Sequence, residues 1–345
     1  MKKILMVKER FLIDSDTNCL ILAWPSIYRK KIFWHDLIKI YYKLINIIVS
    51  NGYHIILIHH KNVNVENEIE LIGKQLSDIN SNYKSNISFH EYDFDDIWIR
   101  DYGPKLTKSG VARLIFNGYG EKYSHKNDSL FFNYLMQRYP RSNNDMFNNI
   151  VIEGGNIINS SKDYILNINP IIIHNQLSSN SIKNKIKELF EQCMDGDYHL
   201  IDIQELTGDD TDGHIDNLVR FKDETTLLYM STNEKDHPDY ELLKNLEKQL
   251  GKLIKNSNNI NDMTPIDHNY QDIVRNRNGS IVPFSYLNFI MIGDLIIFPV
   301  NLNTDIQKKK YLAELFPDKN IYFIESSALL NEFGSLHCCS NNFVI

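Results

Sequence analysis

The sequence is poor in positive charge. It sets 37 lysines and arginines against 44 aspartates and glutamates, a formal net charge of −7. Phosphate binding wants a basic face, so this balance argues against a nucleic-acid partner. It is compatible with a cationic substrate. Long apolar runs are missing too, and no stretch approaches the ~20 residues of a membrane helix. Met1–Val7 opens like a secretion signal, but Lys8-Glu9-Arg10 breaks the run before an apolar core is complete. Cysteine is scarce, with four in 345 residues. Cys19 and Cys193 stand far apart, Cys338 and Cys339 are adjacent, and no CxxC or His-spaced metal pattern occurs. Neither GxGxxG nor GK[ST] is present, which excludes a Gly-rich phosphate loop. The expectation is a reduced, cytoplasmic protein without a membrane span.

What remains is globular: hydrophobic residues make up 43% and charged residues 23%. Strands and helices alternate along the chain. Strands are predicted at Leu20–Trp24, His54–Ile58, Ile87–Phe94, Val111–Phe116, Ile150–Ile152, Tyr164–Ile168, Tyr198–Ile203, His214–Phe221, Thr226–Tyr229, Leu287–Ile292, Leu295–Val300 and Ile321–Ile324. Three- and four-residue apolar spacing predicts helices over Lys31–Ser50, Val65–Asp78, Ser129–Arg138, Ser181–Cys193, Tyr240–Leu250 and Asp305–Phe316, with a short one at Ser327–Asn331. Asn51-Gly52 reads as a helix C-terminus. Asn256–Asp262 reads as a solvated connection. The rhythm is roughly strand-strand-helix-strand, not a clean doubly wound alternation.

Four polar constellations could carry chemistry. The first is Asp95-Asp96-Ile97-Trp98-Ile99-Arg100-Asp101. In an extended segment Asp96, Trp98 and Arg100 would share one face, and a carboxylate beside an aromatic ring suits a planar cation. A strand end with a structural Arg–Asp pair is an equal alternative. The second is Asp209-Asp210-Thr211-Asp212-Gly213-His214-Ile215-Asp216, where His214 and Asp216 would share a strand face as proton carrier and carboxylate. A metal site is disfavoured here, because no second His stands at ligand spacing. The third is Glu153-Gly154-Gly155-Asn156, whose glycines permit positive φ or a close approach, or simply a bulge. The fourth is Gly334-Ser335-Leu336-His337-Cys338-Cys339, where a thiol could act as nucleophile or be a small buried hydrophobe. One thiol, one imidazole and several carboxylates, with no cofactor motif, suit substitution at the carbon of a guanidinium. That group stays protonated and needs carboxylates to hold its N–H fork.

These stretches give the chain its resemblance to the agmatine deiminase family, also called the Porphyromonas-type peptidylarginine deiminase family. The matches run in order from Ala23-Trp24-Pro25 through Asp96–Pro104, Phe116–Tyr123, Glu153-Gly154-Gly155, Gly208–Asp216 with Arg220-Phe221, and Ser285–Phe289 to Gly334–Cys338. The resemblance implies a single α/β domain over 1–345. Its fold is a five-bladed α/β propeller (pentein) of pseudo-fivefold ββαβ units with a central active site. It implies Cys338 as nucleophile, His214 as general acid/base, and Asp96 and Asp216 as guanidinium-binding carboxylates. Glu153, Trp98 and Asp210 join them in the pocket, and Cys339 has no role. It implies no cofactor and no metal, a small cationic guanidine substrate, and a homo-oligomer, as a dimer. The implied reaction is hydrolysis of agmatine to N-carbamoylputrescine and ammonia through a covalent thiouronium, a step of putrescine and polyamine biosynthesis. The alternatives are deimination of arginine or peptidyl-arginine, and a non-catalytic guanidine-binding relative. The chain departs from the family at Ile173-His174-Asn175-Gln176, Tyr119-Gly120, Ser340 and Asn341-Asn342, positions that could tune the far end of the substrate.

Overall fold

The computed structural model describes residues 8–28, 30–75 and 83–345. The Met1–Val7 stretch and the end of the helix expected to reach Asp78 lie outside them.

One strand pattern recurs five times. A short strand pairs antiparallel with one of equal or greater length, a helical segment follows, and a third strand pairs parallel to the second. In the second blade the strands are Lys105–Leu106, Val111–Ala112 and Asn143–Asn144. In the third they are Ile157–Asn159, Asp163–Asn167 and Asp197–Ile201. The fourth blade has Val219–Phe221, Thr226–Ser231 and Asp262–Asp267, and the fifth has Ile290–Ile292, Leu295–Val300 and Asn320–Glu325. The first blade is assembled from both ends of the chain. Ser340–Phe343 pairs antiparallel with Cys19–Ala23, which pairs parallel with His54–His59, itself beside Ile87–Glu91. The first strands of neighbouring blades touch: Ile157–Asn159 meets Val219–Phe221, and Ser340–Phe343 meets Lys105–Leu106. This is the expected five-bladed α/β propeller.

The middle strands are buried on both faces, which is why they read as continuous apolar runs. Helices pack outside them. Trp34–Ser50 buries Leu37, Ile40, Tyr41, Leu44 and Ile48 on one face, and Gly52 takes a φ of 83° just past its end. Tyr240–Asn256 is longer than its predicted span and buries Leu243, Leu246 and Leu250.

Several expectations need correction. The connection expected at Asn256–Asp262 is shorter, because Asn256 ends the helix and Asp262 begins a strand that runs to Asp267 despite Pro265; that strand lies at a sheet edge, where a missing N–H is tolerated. The strand expected at Ile150–Ile152 is only an isolated bridge between Val151 and Ile115. Val111–Phe116 shortens to Val111–Ala112. Two corrections bear on the site. Ile99–Tyr102 is a helical turn, so Asp96, Trp98 and Arg100 do not share a strand face. Ile215–Asn217 is a 3-10 turn entered from His214, so His214 and Asp216 are not strand neighbours either, and the strand begins only at Val219.

Candidate active site

The polar constellations meet at the blades' inner ends. The helical turn at Ile99–Tyr102 aims Arg100 and Asp101 in different directions. Arg100 is buried and holds the C-terminal segment: its N–H donates to the Cys338 carbonyl at 3.1 Å, Nε to the His337 carbonyl at 3.3 Å, and Nη2 to Asn342 Oδ1 at 2.8 Å. Asp101 turns toward the pore. Its Oδ1 accepts from the Gly155 N–H at 2.9 Å and its Oδ2 from the Tyr119 hydroxyl at 2.9 Å.

His214 is buried next to Asp101. Its Nδ1 lies 3.5 Å from Asp101 Oδ1 and its Nε2 3.7 Å from Glu153 Oε2. The second distance is an ion-pair approach, too long for a hydrogen bond, and both of those atoms lack a hydrogen-bond partner in the protein. Burial opposes charge on the ring, but Asp101, Glu153 and Asp216 outweigh it and raise its pKa to about 10. Glu153 is fully buried, and Oε1 lies 2.7 Å from His174 Nδ1. Burial alone would raise its pKa, yet contacts with His174 and His214 bring it down to about 2. His174 Nε2 lies 2.8 Å from Asp212 Oδ2, which also takes Lys122 Nζ at 2.5 Å.

The glycines after Glu153 are explained by close approach. Neither has a positive φ. A Cβ on Gly154 would come within 2.0 Å of the Arg100 carbonyl, and one on Gly155 within 2.8 Å of both Asp101 Oδ1 and His214 Nδ1. Asp216 Oδ2 is 3.2 Å from that same point, so Asp101, His214 and Asp216 converge on Gly155. Asp216 Oδ2 is also 2.6 Å from His337 Nδ1, while its buried Oδ1 has no partner in the protein. Burial, Arg100 and Arg220 depress His337 to a pKa of about 4, which assigns it as a neutral ring donating to Asp216.

Cys338 lies half-buried at this junction. Asn288 Oδ1 is 3.4 Å from both its Sγ and its backbone N, and accepts from the His337 N–H at 3.0 Å. Burial, then Asp216 and Asp101, push the thiol pKa well above its ordinary 9.0. Cys339 points the other way into the core, where burial lifts its thiol to about 12.

A cavity of about 120 Å³ opens over Cys338. Asp96, Trp98, Asp101, Asp210 and Glu332 line it with Tyr28, Tyr119 and Tyr123, and no lysine or arginine among the described residues does. Asp96 Oδ1 accepts from the Tyr28 hydroxyl at 2.6 Å and from the Ile97 N–H at 2.7 Å; burial nevertheless raises its pKa to about 6. Asp210 takes the Tyr123 hydroxyl at 2.8 Å, and burial with Asp209 raises it to about 6. Trp98 forms a wall against Gly334, where a Cβ would meet the indole at 2.3 Å.

Of the seven residues singled out from sequence, Cys338, Asp96, Trp98 and Asp210 line this cavity, while His214, Glu153 and Asp216 lie buried behind it, next to Asp101 and Gly155. Asp101, Tyr119, His174 and Asn288 complete the arrangement and were not singled out. Asp101 stood on the wrong face of a presumed strand. His174 and Tyr119 occupy two of the positions at which the chain departs from the family pattern, and Asn288 lies inside a quoted motif. Among the described residues no group of His, Cys, Asp and Glu has the geometry of a metal site.

Fold and site together define a pentein-type α/β propeller with a thiol, an imidazole and carboxylates at an acidic central cavity. The model of the Porphyromonas-type peptidyl-arginine deiminase family matches residues 15–343, and the chain belongs to that family. The agmatine deiminase of Pseudomonas fluorescens is 23% identical over 282 residues, 73% of this chain and 76% of that protein. The structure of a C. jejuni agmatine deiminase with substrate bound superposes with a TM-score of 0.79 at 21% identity, covering 97% of this chain and 96% of that one. The Enterococcus faecalis agmatine deiminase gives 0.76 at 15% identity, covering 97% and 95%.

Proposed function

We propose that this chain is an agmatine deiminase, hydrolysing agmatine to N-carbamoylputrescine and ammonia. The observation that carries the reading is the acidic cavity over Cys338, lined by four carboxylates and, among the described residues, no cation. Such a cavity favours a substrate cationic at both ends. The α-carboxylate of free arginine would meet Asp96, Asp210 or Glu332 with no compensating charge. The relatives that are agmatine deiminases support the same choice.

In this reading Asp101, instead of the expected Asp96, joins Asp216 in holding the guanidinium N–H groups, because these two carboxylates act on the sulfur; Asp96, Trp98 and Asp210 line the path to it. The carboxylates that disfavour an empty-site thiolate stabilise a bound cation, whose charge in turn favours the thiolate. The thiolate adds to the guanidinium carbon. Protonated His214 donates to the departing nitrogen, which leaves as ammonia, and a thiouronium remains on Cys338. Neutral His214 then takes a proton from water, whose oxygen adds to the same carbon, and the thiolate leaves with the urea-type product. Glu153, anchored by His174, keeps His214 charged until the first step.

Intact-mass measurement after acid quenching tests the covalent step. The expected species is enzyme heavier by agmatine less ammonia, absent in Cys338→Ala. Turnover with full burst kinetics and no such adduct on any cysteine would count against it.

A further inference from the structure

A second cavity, of about 260 Å³, shares no lining residue with the one over Cys338. It is built from the inner strands: Lys105 from the second blade, Ile157–Asn159 from the third, Arg220 and Phe221 from the fourth, and Met291 from the fifth. His337 and Asp14 complete it. It is therefore another chamber of the same pore, and the deiminase reading makes no use of it.

Its charges are unevenly satisfied. Three cations, Arg100, Arg220 and Lys105, act on this region with Asp14 between them. Asp14 Oδ2 is 3.0 Å from Arg220 Nη2, and 3.7 Å from His337 Nε2. Arg100 donates to neutral oxygens only. The other carboxylates of the cavity are engaged: Asp223 accepts from the Thr225 and Thr226 N–H groups, and Glu224 from Ser161. Lys319 donates to the Gly293 carbonyl at 3.0 Å. Among the described residues the ammonium groups of Lys105 and Lys222 make no hydrogen bond or ion pair, although the Lys222 N–H donates to the Thr226 carbonyl at 2.9 Å. Lys105 Nζ lies over the Phe11 ring, 5.6 Å from its centroid. An ammonium in a pore ordinarily finds a partner, because leaving a charge unpaired away from bulk water is costly.

We infer that this chamber is a binding site for a small oxyanion, phosphate or carboxylate, held by Lys105 with Lys222 at its mouth. Burial, with Arg100 and Arg220, lowers the Lys105 pKa to about 8 even though Asp14 and Asp216 act to raise it. An oxyanion would supply further counter-charge and accept several N–H donors at once. The site does not depend on the deiminase reading, because it contains neither Cys338 nor the carboxylates around it.

Calorimetric titration of the whole chain with inorganic phosphate, and separately with succinate, at constant ionic strength tests this. At least one should bind saturably at one site per chain, and the arm that binds tells phosphate from carboxylate. Lys105→Met should weaken that binding at least tenfold, while Lys105→Arg retains it. A thermal melt without anion checks that each variant is folded; if Lys105→Met is not, Lys222→Ala takes its place with a smaller loss. Absence of saturable binding to the wild type in both arms overturns the inference. So does equal affinity in the folded Lys105→Met protein.

Discussion

At the residue scale the two adjacent thiols separate cleanly. Cys338 faces the acidic cavity and Cys339 the core. Cys338→Ala should therefore abolish ammonia release, by at least about a thousandfold, with the melting temperature little changed. Cys339→Ser should keep most activity while losing stability, since it puts a hydroxyl among apolar side chains. The opposite pattern would mean that the nucleophile is the other thiol. The site's charges also set its pH behaviour. Turnover needs a thiolate whose pKa is raised and an imidazolium whose pKa is about 10, so kcat/KM should peak well on the alkaline side of neutrality. A maximum below neutral pH would contradict that pairing. Stability gives an independent check on His214. Its pKa is higher folded than unfolded, so its contribution is fully present below about 6.5 and fades as pH rises to about 10. The stability difference between wild type and His214→Gln should shrink over that window, as read by denaturant midpoints.

At the element scale, short turns carry the site and long elements carry the scaffold. Gly155 sits in a 3-10 turn where a Cβ would press on Asp101 and His214 together. Gly155→Ala should lower kcat by tenfold or more while leaving the fold intact, because it shifts two interacting groups by a fraction of an ångström. Unchanged kcat would show that the Asp101–His214 approach does not matter. The terminal strand Ser340–Phe343 closes the first blade, and Phe343 is fully buried. Phe343→Ala should cost about 3–5 kcal/mol of stability, measured by chemical unfolding. Such turns were also the least legible parts of the sequence. Helices such as Trp34–Ser50 announce themselves by apolar spacing, and buried strands such as Leu295–Val300 by continuous apolar runs. The turn at Ile99–Tyr102 has no such signature, and reading it as a strand hid Asp101 behind Arg100. His174 was invisible for another reason: a lone His among isoleucines gains meaning only when folding brings Glu153 and Asp212 to its two nitrogens.

At the scale of the whole molecule, the propeller explains why residues from 96 to 338 meet. Each blade delivers its functional group from its inner end, and the chain's two termini complete the ring together. The strand-strand-helix rhythm is visible in the sequence, but its fivefold count came only with the family resemblance, and its closure is hidden because the pairing of Cys19–Leu22 with Ser340–Phe343 spans nearly the full sequence. Nor does the sequence alone reveal the two cavities, one acidic over Cys338 and one of mixed charge around Lys105. Among the described residues no helix is long and apolar enough to cross a membrane.

The central claim is that the acidic cavity selects a guanidine carrying a second positive charge. Ammonia release from agmatine, free arginine and a peptide with C-terminal arginine, followed side by side on the purified chain, tests it most directly. Agmatine should be hydrolysed with a kcat/KM at least about a hundredfold above either of the others. Preferential turnover of arginine or of the peptide would contradict it.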